Sequence, residues 1–73
     1  LRTFVRGVAT AGSSLTVIKT TVGAAQTVAA AIDRAEWPEV VGTISGDDTI
    51  FLATDPSRAQ AQVVERVRGL FRV

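Results

Sequence analysis

The sequence predicts an α+β fold of order β-β-α-β-β-α, a four-stranded, mainly antiparallel sheet carrying both helices on one face. Three observations predict it. Four short runs rich in Val, Ile, Thr and Phe fall into two pairs, each pair joined by a turn cluster. An Ala-rich stretch follows the first pair. After the second pair, apolar residues recur at helical spacing.

The first pair comprises Leu1 to Ala9 and Leu15 to Thr20, with Ala11-Gly12-Ser13-Ser14 between them as the turn of a β-hairpin. Arg6 and Lys19 interrupt the apolar pattern and mark an open face or an edge, where cationic side chains discourage unwanted strand pairing. Thr21 is placed to cap the helix that follows, Ala24 to Ala35. That helix is small and apolar nearly all round, so it should be buried on two sides. It stops before Trp37-Pro38, because proline cannot continue a helix. Trp37 is expected to cover apolar surface locally.

Val40 to Ser45 and Thr49 to Thr54 form the second hairpin around Gly46-Asp47-Asp48. Asp55 and Pro56 then suit the N-cap and first position of a final helix. Its buried stripe should run Ala59, Val63, Val67 and Leu70, widened by Val64 and Phe71. Its arginines read as a solvated face, since no aromatic side chain is interleaved among them. The sheet face away from the helices is left for solvent, a partner or another domain.

Composition narrows the functional classes. The chain is 73 residues, one small domain, with 47% hydrophobic residues, no Cys, no His and a net charge of +1. A core of this size is hard to stabilise alone. Without Cys or His, neither a disulfide nor a structural zinc can supply the deficit. Burial against other chains is the remaining remedy. The small net charge gives no bulk argument for nucleic acid or a membrane surface. No apolar run approaches the roughly 20 residues that span a bilayer, and no signal peptide is evident. The absence of Cys fits a cytoplasmic location. Leu1 in place of an initiator Met points to a fragment with a preceding domain.

The acidic turn is the most informative segment. Gly and Asp suit short turns because they tolerate a left-handed backbone, but one such residue is enough. Two carboxylates a few ångströms apart repel by roughly 1 kcal/mol in water and by more when partly buried. Solvent can offset that, and so can a cation. A guanidinium is an apt cation, because its planar fork matches a carboxylate bidentately. Nearby polar groups converge in pattern. Gln26 and Asp33 are seven residues apart and so share a helix face, about 10 Å apart along the axis. Thr43, Ser45 and Asp47 alternate, which places them on one side of a strand. Each group also has an ordinary reading, from solvation at a helix start to plain strand residues. Together they suit a small cationic ligand with a polar backbone, such as an amino acid.

Catalytic signatures are missing. Gly42-Thr43-Ile44-Ser45-Gly46 places its Ser in a strand with no base, and Val22-Gly23-Ala24-Ala25 lacks the Lys and spacing of a phosphate loop. An acid/base role for Asp47 and Asp48 would need a deeper pocket than so small a domain offers.

Val22-Gly23-Ala24-Ala25-Gln26, Asp33 on the same helix, and Gly42-Thr43-Ile44-Ser45-Gly46-Asp47-Asp48-Thr49-Ile50 strongly resemble the C-terminal domain of the bacterial arginine repressor. The resemblance covers essentially the whole chain, residues 1–73. It implies a non-enzymatic transcriptional regulator domain that forms trimers, two of which stack into a hexamer. It implies L-arginine as corepressor at the trimer–trimer interface, with no other cofactor and no metal. On that resemblance Asp47 and Asp48 receive the ligand, Asp47 being the principal partner of its guanidinium. Gln26, Asp33, Thr43 and the backbone around Ser45 would orient its amino and carboxylate ends. Ser45 departs mildly, Ala being frequent there, and a backbone contact survives the change. Operator DNA would be met only through a winged helix-turn-helix domain outside this chain. The Ala-rich helix would become an inter-subunit surface. Two other classes stand beside this one, an assembly domain that binds nothing and a small-molecule enzyme using Asp47 or Asp48.

Overall fold

A computed structural model describes residues 2–56 and 58–73. A 3-10 turn, Arg2–Phe4, leads into β1 (Val5–Ala11), followed by β2 (Leu15–Thr20), α1 (Ala25–Ala35), β3 (Val40–Ser45), β4 (Thr49–Thr54) and α2 (Arg58–Phe71). The expected order is observed, and the sheet, β1-β2-β4-β3, is antiparallel throughout. The two hairpins are therefore joined through their second strands. That pairing is non-local, with Ile18 facing Ile50 and Thr16 facing Leu52.

Alternation decides which side chains meet the helices. Ile18, Ile50 and Leu52 are fully buried on one sheet face, packed with Val28 and Ile32 of α1 and Val63, Val67 and Phe71 of α2. Trp37 packs against the rim of this core, as expected, and the Arg66 guanidinium lies 5.9 Å from its ring centre. Arg66 also pairs with Glu39 at 3.1 Å, and this hydrogen bond, ahead of a backbone contact, holds the Glu39 carboxyl below its ordinary range. The Gln60 amide donates to the Gly12 and Leu15 carbonyls at 2.9 and 3.0 Å, which ties α2 to the first hairpin.

Several boundaries differ from the expectation. The first strand begins at Val5 and runs on to Ala11, and Leu1 lies outside the described residues. Arg6 lies on the edge strand β1, at a bulge between Val5 and Gly7. Lys19 belongs to an inner strand, so of the two alternatives it marks an open face and not an edge. Thr21 does not cap α1, which starts at Ala25 after Ala24, with no side-chain cap. Helix α2 is described over Arg58–Phe71; Pro56 lies in a turn and not at the first helical position that the Asp55-Pro56 pattern predicted, and Ser57 lies outside the described residues. Its stripe runs Val63, Val67, Phe71, whereas Leu70 is 45% exposed. Both residues fall near that side of the helix, and burying Phe71 removes more apolar surface from water.

Helix α1 is buried on one side within a single chain. Ala25, Val28, Ala29 and Ile32 face the core, while Gln26, Thr27, Ala30 and Asp33 are exposed. The second buried side expected from composition is thus not supplied by this chain itself.

Thr16 is fully buried, and its hydroxyl finds no partner among the described residues. A buried unsatisfied hydroxyl costs about 1–3 kcal/mol, whereas Val has nearly the same shape without the polar atom. Thr16→Val is therefore expected to stabilise the fold by about 1 kcal/mol. The urea midpoint should rise at unchanged slope. A lower midpoint would show that the hydroxyl is satisfied.

Candidate functional site

The Gly46-Asp47-Asp48-Thr49 turn is pinned on two sides. The Gly46 N–H donates to the Thr49 carbonyl at 2.9 Å and closes it. The Asp48 carbonyl accepts the Thr20 N–H at 2.8 Å, at the end of β2. The Asp47 carbonyl accepts the N–H groups of Gly23 and Ala25, both at 3.1 Å. Gly23 has φ +82°, a left-handed conformation that glycine adopts without steric cost. It aims these two amides at the turn. The first turn of α1 is thereby capped by a backbone carbonyl more than 20 residues away, which explains why Thr21 is not needed.

None of Gly46, Asp47 and Asp48 has a positive φ. Tolerance of a left-handed backbone therefore does not account for the two aspartates. Their carboxylates differ in surroundings. Thr49 Oγ1 donates to Asp48 Oδ1 at 2.9 Å and itself accepts from Lys19 Nζ at 2.9 Å. Asp47 has no side-chain hydrogen bond or ion pair among the described residues, and it is exposed. With Asp48, Ile44 and Phe51 it lines an open hollow of about 250 Å³.

The other expected residues fall along α1 and β3. Asp33, near the end of α1, accepts a 3.0 Å hydrogen bond from Thr43 Oγ1. Gln26 is exposed in the first turn, next in sequence to the Ala25 amide that Asp47 caps. Thr43 and Ser45 pair with Leu52 and Ile50 and lie on the helix side of the sheet. The alternation that was to carry Asp47 to the same side ends with the strand at Ser45. The structure thus brings together Asp33 with Thr43, and the acidic turn with the start of α1. It does not gather all six residues into one cavity, since Asp33 borders a separate hollow of about 140 Å³. Gln26 and the Asp33–Thr43 pair lie along α1, whereas the side chains of the acidic turn border a hollow with Ile44 and Phe51 on the other face of the sheet.

Sequence reasoning missed Lys19 and Thr49 as members of this region. Lys19 faces Thr49 across β2 and β4, a register that no local pattern reveals. Only the choice of which strands pair puts an ammonium beside the acidic turn.

A family profile described as "Arginine repressor, C-terminal domain" matches residues 1–69. Curated proteins named arginine repressor are similar over most of the chain. The one from Caldicellulosiruptor bescii is 60% identical over 57 residues, covering 78% of this chain and 38% of the relative. That of Symbiobacterium thermophilum is 52% identical over 59 residues, covering 81% and 39%. That of Koribacter versatilis is 46% identical over 70 residues, covering 96% and 47%. The chain thus spans less than half the length of these relatives.

Proposed function

The chain belongs to the arginine repressor C-terminal domain family, and from that premise we propose that it binds L-arginine as a corepressor and assembles into two stacked trimers. In this reading it is the sensing and assembly part of a regulator of arginine biosynthesis or catabolism. DNA is contacted through a winged helix-turn-helix domain outside this chain. The observation that carries the ligand assignment is the Asp47 carboxylate, exposed and unpartnered at the start of α1 although its own carbonyl is firmly held. An exposed carboxylate on a firmly held backbone, without a counterion among the described residues, suits a guanidinium from outside. Gln26 and the Asp33–Thr43 pair lie along the same helix to receive the polar ends of an amino acid.

Two surfaces of different character support the assembly. The open sheet face carries an apolar row, Ala9–Val17–Phe51–Ile44, running across all four strands. Phe51 is 50% exposed and Ile44 77%. The outer side of α1 is small and polar, and the acidic turn stands at the end of the apolar row, where Asp47 and Asp48 share a hollow with Ile44 and Phe51. An apolar face suits permanent contacts around a threefold axis, and a polar, carboxylate-bearing face suits a second contact that depends on a bridging cation.

Calorimetric titration with L-arginine, beside lysine and citrulline, tests the ligand, and sedimentation of dilute protein tests the assembly. Arginine is expected to bind with heat and to convert trimers to hexamers. A ligand that binds only the assembled state shifts the equilibrium by about 2.7 kcal/mol per site at one hundred times its Kd. Citrulline, which keeps the shape and loses the charge, should do neither. Silence with arginine would leave a ligand-independent assembly domain.

A further inference from the structure

Two adjacent carboxylates in one turn have different surroundings, and the difference is a threonine hydroxyl that is itself held by a lysine. An ammonium has protons to donate and no lone pair to accept with. In the contact of Lys19 Nζ with Thr49 Oγ1, at 2.9 Å, the hydroxyl must therefore be the acceptor. Its single proton is then free for Asp48 Oδ1, also at 2.9 Å. The direction of the chain Lys19 to Thr49 to Asp48 is set by the chemistry of its first member. Cross-strand pairing holds Lys19 against Thr49, and the Thr20 amide holds the Asp48 backbone at 2.8 Å. Arg6 borders the same hollow of about 280 Å³ as Lys19 and Asp48.

Resting on the arginine reading above, we propose that Lys19 is a positioning residue for ligand selection. Acting through the Thr49 hydroxyl, it orients Asp48 and offsets its charge, so that the site favours a planar guanidinium over an ammonium. With Oδ1 engaged, the orientation of the Asp48 carboxylate is biased and Oδ2 is left as its open acceptor. A guanidinium fork needs acceptors in fixed directions, whereas an ammonium is a compact charge that responds to total negative charge. Removing Lys19 leaves the Thr49 hydroxyl free to turn away from Asp48 and makes the turn more negative by one charge. Both changes favour lysine relative to arginine.

The test is the ratio of arginine to lysine affinity, measured by calorimetry on the 73-residue protein and its variants. Lys19→Met and Thr49→Val should each lower that ratio about threefold to tenfold, the range of one net hydrogen bond. Thr49→Ser, which keeps the hydroxyl, should retain the original ratio. In an Asp48→Asn background, Lys19→Met should lower the ratio less, because only its charge effect beside Asp47 remains. A general loosening of the turn would weaken both ligands together and would persist without the Asp48 charge. An unchanged ratio in Lys19→Met, or an equal fall with and without Asp48, overturns the inference while the arginine reading stands. Absence of arginine binding by the unmodified protein overturns that reading, and this inference with it.

Discussion

Phe51→Ser is expected to leave the protein monomeric at micromolar concentrations where the unmodified chain is assembled. Phe51 sits in the middle of the apolar row on the open sheet face, half exposed, between Val17 and Ile44 on the neighbouring strands. If that face is the permanent subunit contact, the aromatic residue of this row is the natural anchor, because buried aromatics dominate such interfaces. Truncating an anchor of this kind costs about 2 kcal/mol or more per contact, and a closed ring repeats the loss at each contact. The fold itself should persist, since the Phe51 side chain lies outside the core formed by Ile50 and Leu52. Sedimentation velocity reads the assembly and circular dichroism the fold. Leu70→Ser is the control, an exposed apolar residue on α2 away from the sheet face. A Phe51→Ser protein that sediments like the unmodified one would place the subunit contact elsewhere.

Asp47→Asn should weaken L-arginine binding by about 1.5–3 kcal/mol, the range for a hydrogen bond to a charged group, or roughly tenfold to a hundredfold. Backbone and side chain separate cleanly here. The Asp47 carbonyl caps α1 through Gly23 and Ala25, and Asn keeps that carbonyl. Only the unpartnered carboxylate is neutralised, so thermal stability should hardly change. Asp48→Asn should cost less, because its carboxylate is already engaged by Thr49. Equal arginine affinity in both variants and the unmodified protein would remove the acidic turn from the site.

These expectations differ in how far they could be read without the fold. The Gly46 to Thr49 segment marks itself in the sequence, since two adjacent carboxylates are an unfavourable choice that local structure does not require. The positive φ usually invoked for such residues is absent from this turn. That removes the left-handed backbone as an explanation and leaves solvent or a cation to offset the repulsion. The pairing of Asp33 with Thr43 is different in kind. Both residues were picked out for their faces, but nothing local says that the end of α1 crosses β3 at Thr43.

The sequence by itself determined the element order, both hairpins, the Trp37 cover and the position of the acidic turn. These follow from turn residues and from periods of two and 3.6, which are properties of a few consecutive residues. The tertiary structure decided the rest. The start of α1 is set by the Asp47 carbonyl and not by Thr21, so a helix boundary depends on a hairpin formed later in the chain. Of Leu70 and Phe71, both expected in the stripe of α2, only Phe71 is buried, because the neighbours of the helix choose between two residues that helical spacing ranks alike. Lys19 meets Thr49 and Asp48 only because β2 pairs with β4. Periodicity tells each strand which face is apolar, but not which partner it will have. That choice belongs to the packing of the whole core, and it is what turns a scattered lysine, threonine and aspartate into one connected group.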